Sequence, residues 1–133
     1  YGDDGADTLW AGYGQTIMHG GSGADTLVGS TGQDTFVFEN ATAFDAVDTL
    51  KSFNKNGGDK LDISDILDGH YDPLTQAITN FVQITTNGSN SELYVDTTGT
   101  ATFGAAQHIA TIQGVTGLTD EEALVTAGTL LAA

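Results

Sequence analysis

Four consecutive nine-residue units open this chain: GDDGADTLW at 2–10, AGYGQTIMH at 11–19, GGSGADTLV at 20–28 and GSTGQDTFV at 29–37. Glycines lead each unit, an acid position follows, and a large apolar residue stands two places later. The acid position holds Asp7, Thr16, Asp25 and Asp34, and the apolar position Leu9, Met18, Leu27 and Phe36. Glycine opens backbone angles closed to other residues, so a tight loop can turn several carbonyl oxygens inward just ahead of the acid. The remainder of a unit makes only a short strand. Such a strand cannot bury its apolar side chain alone, so the units have to stack on one another.

With 133 residues the chain is one ordinary domain or two small ones and can bury a modest core. Its 18 acidic residues face 3 lysines and no arginine, a formal net charge of -15. Nucleic acid and anionic membrane are poor partners for such a chain, because both are held by basic patches. Cations are the natural partner. Most of the acid is Asp, much of it beside Gly, as in Asp3, Asp4, Asp25, Asp59 and Asp68. Short carboxylates next to flexible backbone can wrap a hard cation with side-chain and carbonyl oxygens together. The scattered Glu39, Glu92 and Glu121 read instead as solubilising charge.

There is no cysteine, so neither disulfides nor thiolate sites can stabilise the fold. The N-terminal residues do not read as a signal peptide, and no apolar run approaches the roughly 18 residues of a membrane span. Taken alone, this points to a cytoplasmic protein.

The form G-G-x-G-x-D-x-U-x, with U a large apolar residue, resembles the calcium-binding nonapeptides of RTX (repeats-in-toxin) proteins. That resemblance implies a short parallel β-roll over residues 1–38, two strands per turn, with Ca2+ between stacked loops. Two units per turn set the first loop above the third and the second above the fourth, so Asp7 pairs with Asp25 and Thr16 with Asp34. The first candidate site takes Gly2, Asp4, Gly5 and Asp7 with Gly20, Gly21, Ser22, Gly23 and Asp25. Two carboxylates plus carbonyls suit a shell of six to eight oxygens. The second takes Gly12 and Gly14 with Gly29, Thr31, Gly32 and Asp34. Thr16 offers no carboxylate there, so a weaker ion is expected.

Beyond Phe38 the nine-residue step ends and ordinary strand signals follow: DTLKSF (48–53), DKLDI (59–63), NFVQITT (80–86), ELYVDT (92–97) and QHIATIQ (107–113). NGSN (87–90) reads as a hairpin turn. A short helix is expected from Ser64, and another from Thr119, where Thr119 and Glu122 form a capping box ahead of ALVTAGTLL. The fold class is therefore all-β in the main, a β-roll followed by a mixed β region with a terminal helix.

The blocks DTFVF, DTLKSFNKNGGDKLDISDIL, ELYVDTTG, FGA and IATIQGV together resemble the C-terminal target domain of proteins exported by type I secretion, as at the ends of large RTX adhesins. This resemblance implies an uncleaved C-terminal export signal, a type I exporter as transient partner, and a secreted, extracellular bacterial protein. Residues 39–133 are then the target region, packed on the roll. It also implies that Asp48 and Asp59, with Asp62 beside them, help close the last calcium sites; for Asp48 the other reading is a strand-start residue facing water. The loop after LYVD keeps only Asp96, too little for a further ion. Tyr1 looks like the last position of an earlier unit, so the chain reads as cut from a longer array.

No catalytic constellation stands out. His19, His70 and His108 lack the spacing of a helical zinc site, GGSGA is not a nucleophile elbow, and GYGQTI and GSGADT do not complete a phosphate loop. Asp68 and Asp72 could imitate a carboxylate pair, but acids are too common here for that to carry weight. Two function classes stay open. One is a calcium-dependent folding and secretion module. The other is a polysaccharide- or surface-binding module, which wants aromatic and basic groups on one strip, whereas Trp10, Tyr13, Tyr71 and Tyr94 are spread out and only Lys51, Lys55 and Lys60 cluster.

Overall fold

A computed structural model describes residues 1–99 and 106–133. The FGA block and the loop beyond residue 99 lie outside the described residues. Each nonapeptide supplies one short strand, and successive strands alternate between two sheets. β1 (Thr8–Trp10), β3 (Thr26–Val28) and β5 (Asp48–Lys51) lie parallel in one sheet; β2 (Thr16–His19), β4 (Asp34–Val37) and β6 (Lys60–Asp62) lie parallel in the other. Register follows the repeat: Thr8 faces Thr26 and Ile17 faces Thr35, each two units apart.

The sheets continue past the repeats without a break. β9 (Gln107–Ile112) pairs parallel with β5 and carries β8 (Asn90–Val95) and β7 (Val82–Asn87) antiparallel at its far side, giving the order β1-β3-β5-β9-β8-β7. The hairpin turn sits where NGSN places it, with Asn87 opposite Asn90 and Gly88 at φ 63. β10 (Leu130–Leu131) closes the second sheet beside β6.

Alternation along each strand sends one apolar column inward from each sheet. Leu9, Leu27, Leu50 and Ile112 form one, and Met18, Phe36, Leu61 and Leu130 the other. All but Leu9 are buried in a single core, and fully burying such side chains contributes roughly 1.5–3 kcal/mol each. The first rung covers one end of the stack, which leaves Trp10, Tyr13 and Ile17 exposed. No helix among the described residues is long and apolar enough to cross a membrane.

The short helix at Ser64 is present as α1 (Ser64–Leu67). The C-terminal helix differs from expectation. It is α2 (Glu121–Thr126), and its N-cap is Asp120, whose carboxylate accepts from Ala123 N–H at 3.1 Å, not Thr119. Glu122 is exposed, while Glu121 is buried and accepts the N–H of Ile84 in β7 at 2.8 Å. The helix stops before Gly128, at φ 77, and LL becomes strand β10 instead of continuing it. The edge of β6 decides this: Leu61 N–H donates to Thr129 O and Ile63 N–H to Leu131 O, both at 2.8 Å, and a sheet edge with unmet backbone groups outweighs helix propensity.

Candidate metal centre

The parallel register stacks the acids into two columns. One runs Asp7, Asp25, Asp48 and ends at Ala110; the other runs Thr16, Asp34, Asp59. Within a column each carboxylate accepts the backbone N–H of the acid one rung earlier. Asp7 N–H reaches Asp25 Oδ1, Asp25 N–H reaches Asp48 Oδ1, and Asp34 N–H reaches Asp59 Oδ1, all at 2.9 Å. Asp48 therefore does not face water: it is buried, as are Asp25, Asp34 and Asp59. At the head of the second column, Thr16 N–H donates to Gln33 O at 3.3 Å, and no side-chain acid stands above Asp34.

Loops join the columns by close backbone approach. In the first, Ser22 N–H donates to Asp3 O at 2.7 Å and Gly5 N–H to Ser22 O at 2.9 Å, with Asp4 opposite Ser22. A Cβ on Gly23, which sits at φ 111, would lie 2.1 Å from Gly5 O. In the second, a Cβ on Gly32 would lie 1.8 Å from Gly14 O, and Ser30 Oγ donates to Gly12 O at 2.6 Å. Gly20 lies against the Asp25 carboxylate and Gly2 against that of Asp7, and neither position has room for a side chain. Gly21 approaches Asp3, Gly29 donates its N–H to Lys51 O at 2.9 Å, and Thr31 is exposed at the loop tip.

The loop before Asp59 copies the fourth unit without its sequence. Ser30 N–H donates to Asp34 Oδ2 at 2.7 Å, and Asn54 N–H likewise donates to Asp59 Oδ2 at 2.8 Å. Asp62 is turned away to hold Ser64 N–H at 3.0 Å. Sequence reasoning missed Asp45, whose Oδ2 accepts Gly23 N–H at 3.3 Å. The signal was present in DAVDTL (45–50), which parallels SGADTL (22–27).

Three carboxylate oxygens, Asp7 Oδ2, Asp25 Oδ2 and Asp34 Oδ1, are buried with no hydrogen-bond partner. A buried, unsatisfied charge-bearing oxygen is strongly unfavourable. No lysine forms an ion pair with these acids among the described residues, where the one pair joins His19 to Glu39. The strain appears in proton affinity. Burial pushes the Asp48 carboxyl up to about 6, against the Asp25 N–H bond that lowers it, and the charges of Asp25 and Asp45 push further upward. Asp59 is raised too, by burial first and by Asp34, against its bonds from Asp34 and Asn54 N–H. Orphaned oxygens, carbonyl-rich loops and absent counter-ions together fit a hard divalent cation. No group of three or more His, Cys, Asp or Glu side chains gathers as a metal cluster among the described residues, so backbone carbonyls would have to supply much of any shell.

The remaining candidates are scattered. His19 pairs with Glu39 and stacks on Tyr1, His108 stacks on Tyr94 and meets Ala110 O, and His70, Asp68 and Asp72 are exposed. Asp96 is buried and accepts from Thr98 N–H at 2.8 Å; the rest of its loop lies outside the described residues.

No curated protein matches the chain. A family model described as Peptidase M10 serralysin C terminal matches residues 15–103, from the second nonapeptide through the β7–β8 hairpin and beyond. The match spans the second acid column and the run from Asp25 to Asp48, and it concerns the non-catalytic part of serralysin. The chain thus belongs to the serralysin C-terminal family, a calcium-binding, non-catalytic RTX-type module of secreted bacterial proteins.

Proposed function

We propose that this chain is a calcium-dependent folding and type I secretion module at the C-terminal end of an extracellular RTX protein, with an adhesin as the parent. The observation that carries the reading is the pair of buried acid columns with orphaned oxygens at Asp7, Asp25 and Asp34. Where calcium is scarce the stacked carboxylates repel one another, and the glycine loops have little to hold them closed. Bound calcium supplies the positive charge that the columns lack. Asp7 and Asp25 would hold it in the first column, Asp34 and Asp59 in the second, and Asp48 would close the last rung of the first. At free calcium about 100 times Kd, one site adds roughly 2.7 kcal/mol to the folded state, a large part of a small domain's stability. A chain of this kind stays loose inside the cell, passes the exporter unfolded and folds outside. Residues 39–133 serve as the export region packed on the roll, and absence of cysteine suits that passage.

Circular dichroism in excess chelator and in a few millimolar calcium tests the folding half. Calcium should raise both the β signal and the melting temperature, and magnesium should not substitute, because it sheds water reluctantly for a loose carbonyl cage. Equal spectra and melting in chelator and calcium would overturn it. A passenger fused ahead of residues 39–133, expressed beside a type I exporter, should reach the medium; retention in the cell would remove the secretion half.

A further inference from the structure

Six asparagines occur in the chain, and two of them, Asn56 and Asn87, precede glycine. An Asn–Gly pair can react with itself, because glycine has no Cβ to shield its backbone nitrogen from the asparagine carboxamide. Both asparagines are exposed, yet the fold treats the two attacking nitrogens differently. Gly57 ends the short helical turn Lys55–Gly57, and its N–H donates at 3.1 Å both to Asn54 O and to the side-chain Oδ1 of Asn54. Gly88 opens the two-residue turn between β7 and β8, where Asn87 lies opposite Asn90, and no group among the described residues accepts its N–H. The Asn87 carboxamide is held on its nitrogen side, with Nδ2 donating to Glu92 Oε1 at 2.9 Å.

We propose that Asn87 is a modification site, at which the chain deamidates spontaneously to aspartate and isoaspartate, while the Asn54 cap protects Asn56. Gly88 N attacks Asn87 Cγ, the Cγ–Nδ2 bond breaks, and the nitrogen departs as ammonia with the Gly88 proton. Water then opens the cyclic imide, adding hydroxide to one carbonyl carbon and a proton to the ring nitrogen. Cleavage at Cγ gives aspartate, and cleavage at the backbone carbonyl gives isoaspartate. The end of a hairpin opens at little cost, so the free Gly88 nitrogen can reach Cγ, whereas Gly57 has to break two hydrogen bonds first. Either product changes the hairpin. A donor to Glu92 becomes an acceptor-only carboxylate beside it, and like charges on paired strands repel. The Glu92 carboxyl, held below the usual range by the Asn87 bond and then by the Tyr94 hydroxyl, loses the first of these supports. Isoaspartate also lengthens the backbone, which the Asn87–Asn90 pair cannot absorb in register. None of this chemistry depends on bound calcium.

Prolonged incubation of the full chain in mildly alkaline buffer with calcium, followed by digestion and peptide mass spectrometry that separates asparagine, aspartate and isoaspartate forms, tests the assignment. In the folded protein Asn87 should convert several-fold faster than Asn56. In denaturant both glycine nitrogens are free, and the two should convert at similar rates. Asn54→Ala, at an exposed position, removes the side-chain acceptor of Gly57 N–H and should speed conversion at Asn56 in the folded chain. If Asn87 stays intact in the folded chain, or converts no faster than Asn56, the site falls. If Asn54→Ala leaves Asn56 as slow as before, the cap is not its protection. Asn87→Asp, the unrearranged product, should melt below Asn87→Ser, which removes the donor without adding charge; equal melting would overturn the effect on the hairpin.

Discussion

The backbone N–H of Asp25 lies 2.9 Å from the carboxylate of Asp48, twenty-three residues later and outside the nonapeptide array. It is one of several hydrogen bonds that join the repeat section to the region after it, as Asp34 N–H on Asp59 does in the other column, and it ends on a buried acid whose proton is held abnormally tightly. The acid columns belong to both parts of the chain, so any ion they hold would link the roll to the sheets built on it.

The raised Asp48 carboxyl gives a pH dependence with a definite sign. Its folded value, about 6, lies above the ordinary 3.8. The folded state therefore binds this proton more tightly than the unfolded chain, and the associated stability is fully present below pH 3.8 and lost as pH rises through 6. Asp59 is shifted the same way. Calcium-free protein should melt higher near pH 4 than near pH 7, with Asp48 accounting for roughly 3 kcal/mol as an upper bound. Thermal melts in chelator across this range check the sign. Asp48→Asn should flatten the profile, and an unchanged slope in that variant would assign the effect to general charge repulsion instead.

Gly23→Ala should be among the most damaging single-methyl changes in the roll. The residue sits at φ 111, and its Cβ would stand 2.1 Å from Gly5 O, a backbone atom that cannot swing aside. Backbone strain of about 1–2 kcal/mol adds to the cost of parting two loops. Gly69, at φ 78, has open space around it, so Gly69→Ala should lose only the conformational part, about 1 kcal/mol. Denaturant titration of both variants in calcium separates the two costs; similar losses would mean that loop approach at Gly23 is not tight.

Thr16→Asp should have opposite effects in the two ionic conditions. Thr16 stands above Asp34 in the register, as Asp7 stands above Asp25, but brings no carboxylate. An acid there adds repulsion near the buried Asp34 in calcium-free protein and should lower its melting temperature by an amount equivalent to about 1 kcal/mol. In calcium the same acid completes a second pair and should tighten one site by roughly tenfold. Melting in chelator and calorimetry in calcium provide both readings. Unchanged affinity would show that loops two units apart do not share an ion.

Positions β1–β4 and both acid columns were legible because glycine, acid and apolar residue all recur within nine residues, and register follows from stacking such units. Asp48 and Asp59 were marked instead by the resemblance of DTLKSFNKNGGDKLDISDIL to a secretion target domain, since the nine-residue step ends beyond Phe38. Asp45 was not legible in this way. Its loop has no glycine, so only the likeness of DAVDTL (45–50) to SGADTL (22–27) hints at its place, which the β3–β5 pairing twenty-three residues apart sets. Nor was β10, because Leu130 and Leu131 fit the apolar spacing of a helix until the free edge of β6 claims them.

The C-terminal helix offers a test in which local and tertiary rules name different residues. A capping box from Thr119 gives the structural role to Glu122, which is exposed. The fold gives it to Glu121, 8% exposed, whose carboxylate accepts Ile84 N–H at 2.8 Å and so closes a donor on the edge strand β7. Ile84 is itself in the core, so loss of that acceptor leaves a buried N–H without a partner, at a cost of about 1–3 kcal/mol. Glu121→Ala should therefore lower stability by about 2 kcal/mol, with faster hydrogen exchange at the Ile84 amide. Glu122→Ala should stay within about 0.5 kcal/mol, as exposed substitutions do. Hydrogen exchange read residue by residue is the sharper measurement, because it reports the Ile84 amide directly. Equal protection of Ile84 in both variants would return the helix to a simple local cap and leave the edge of β7 to be satisfied by other means.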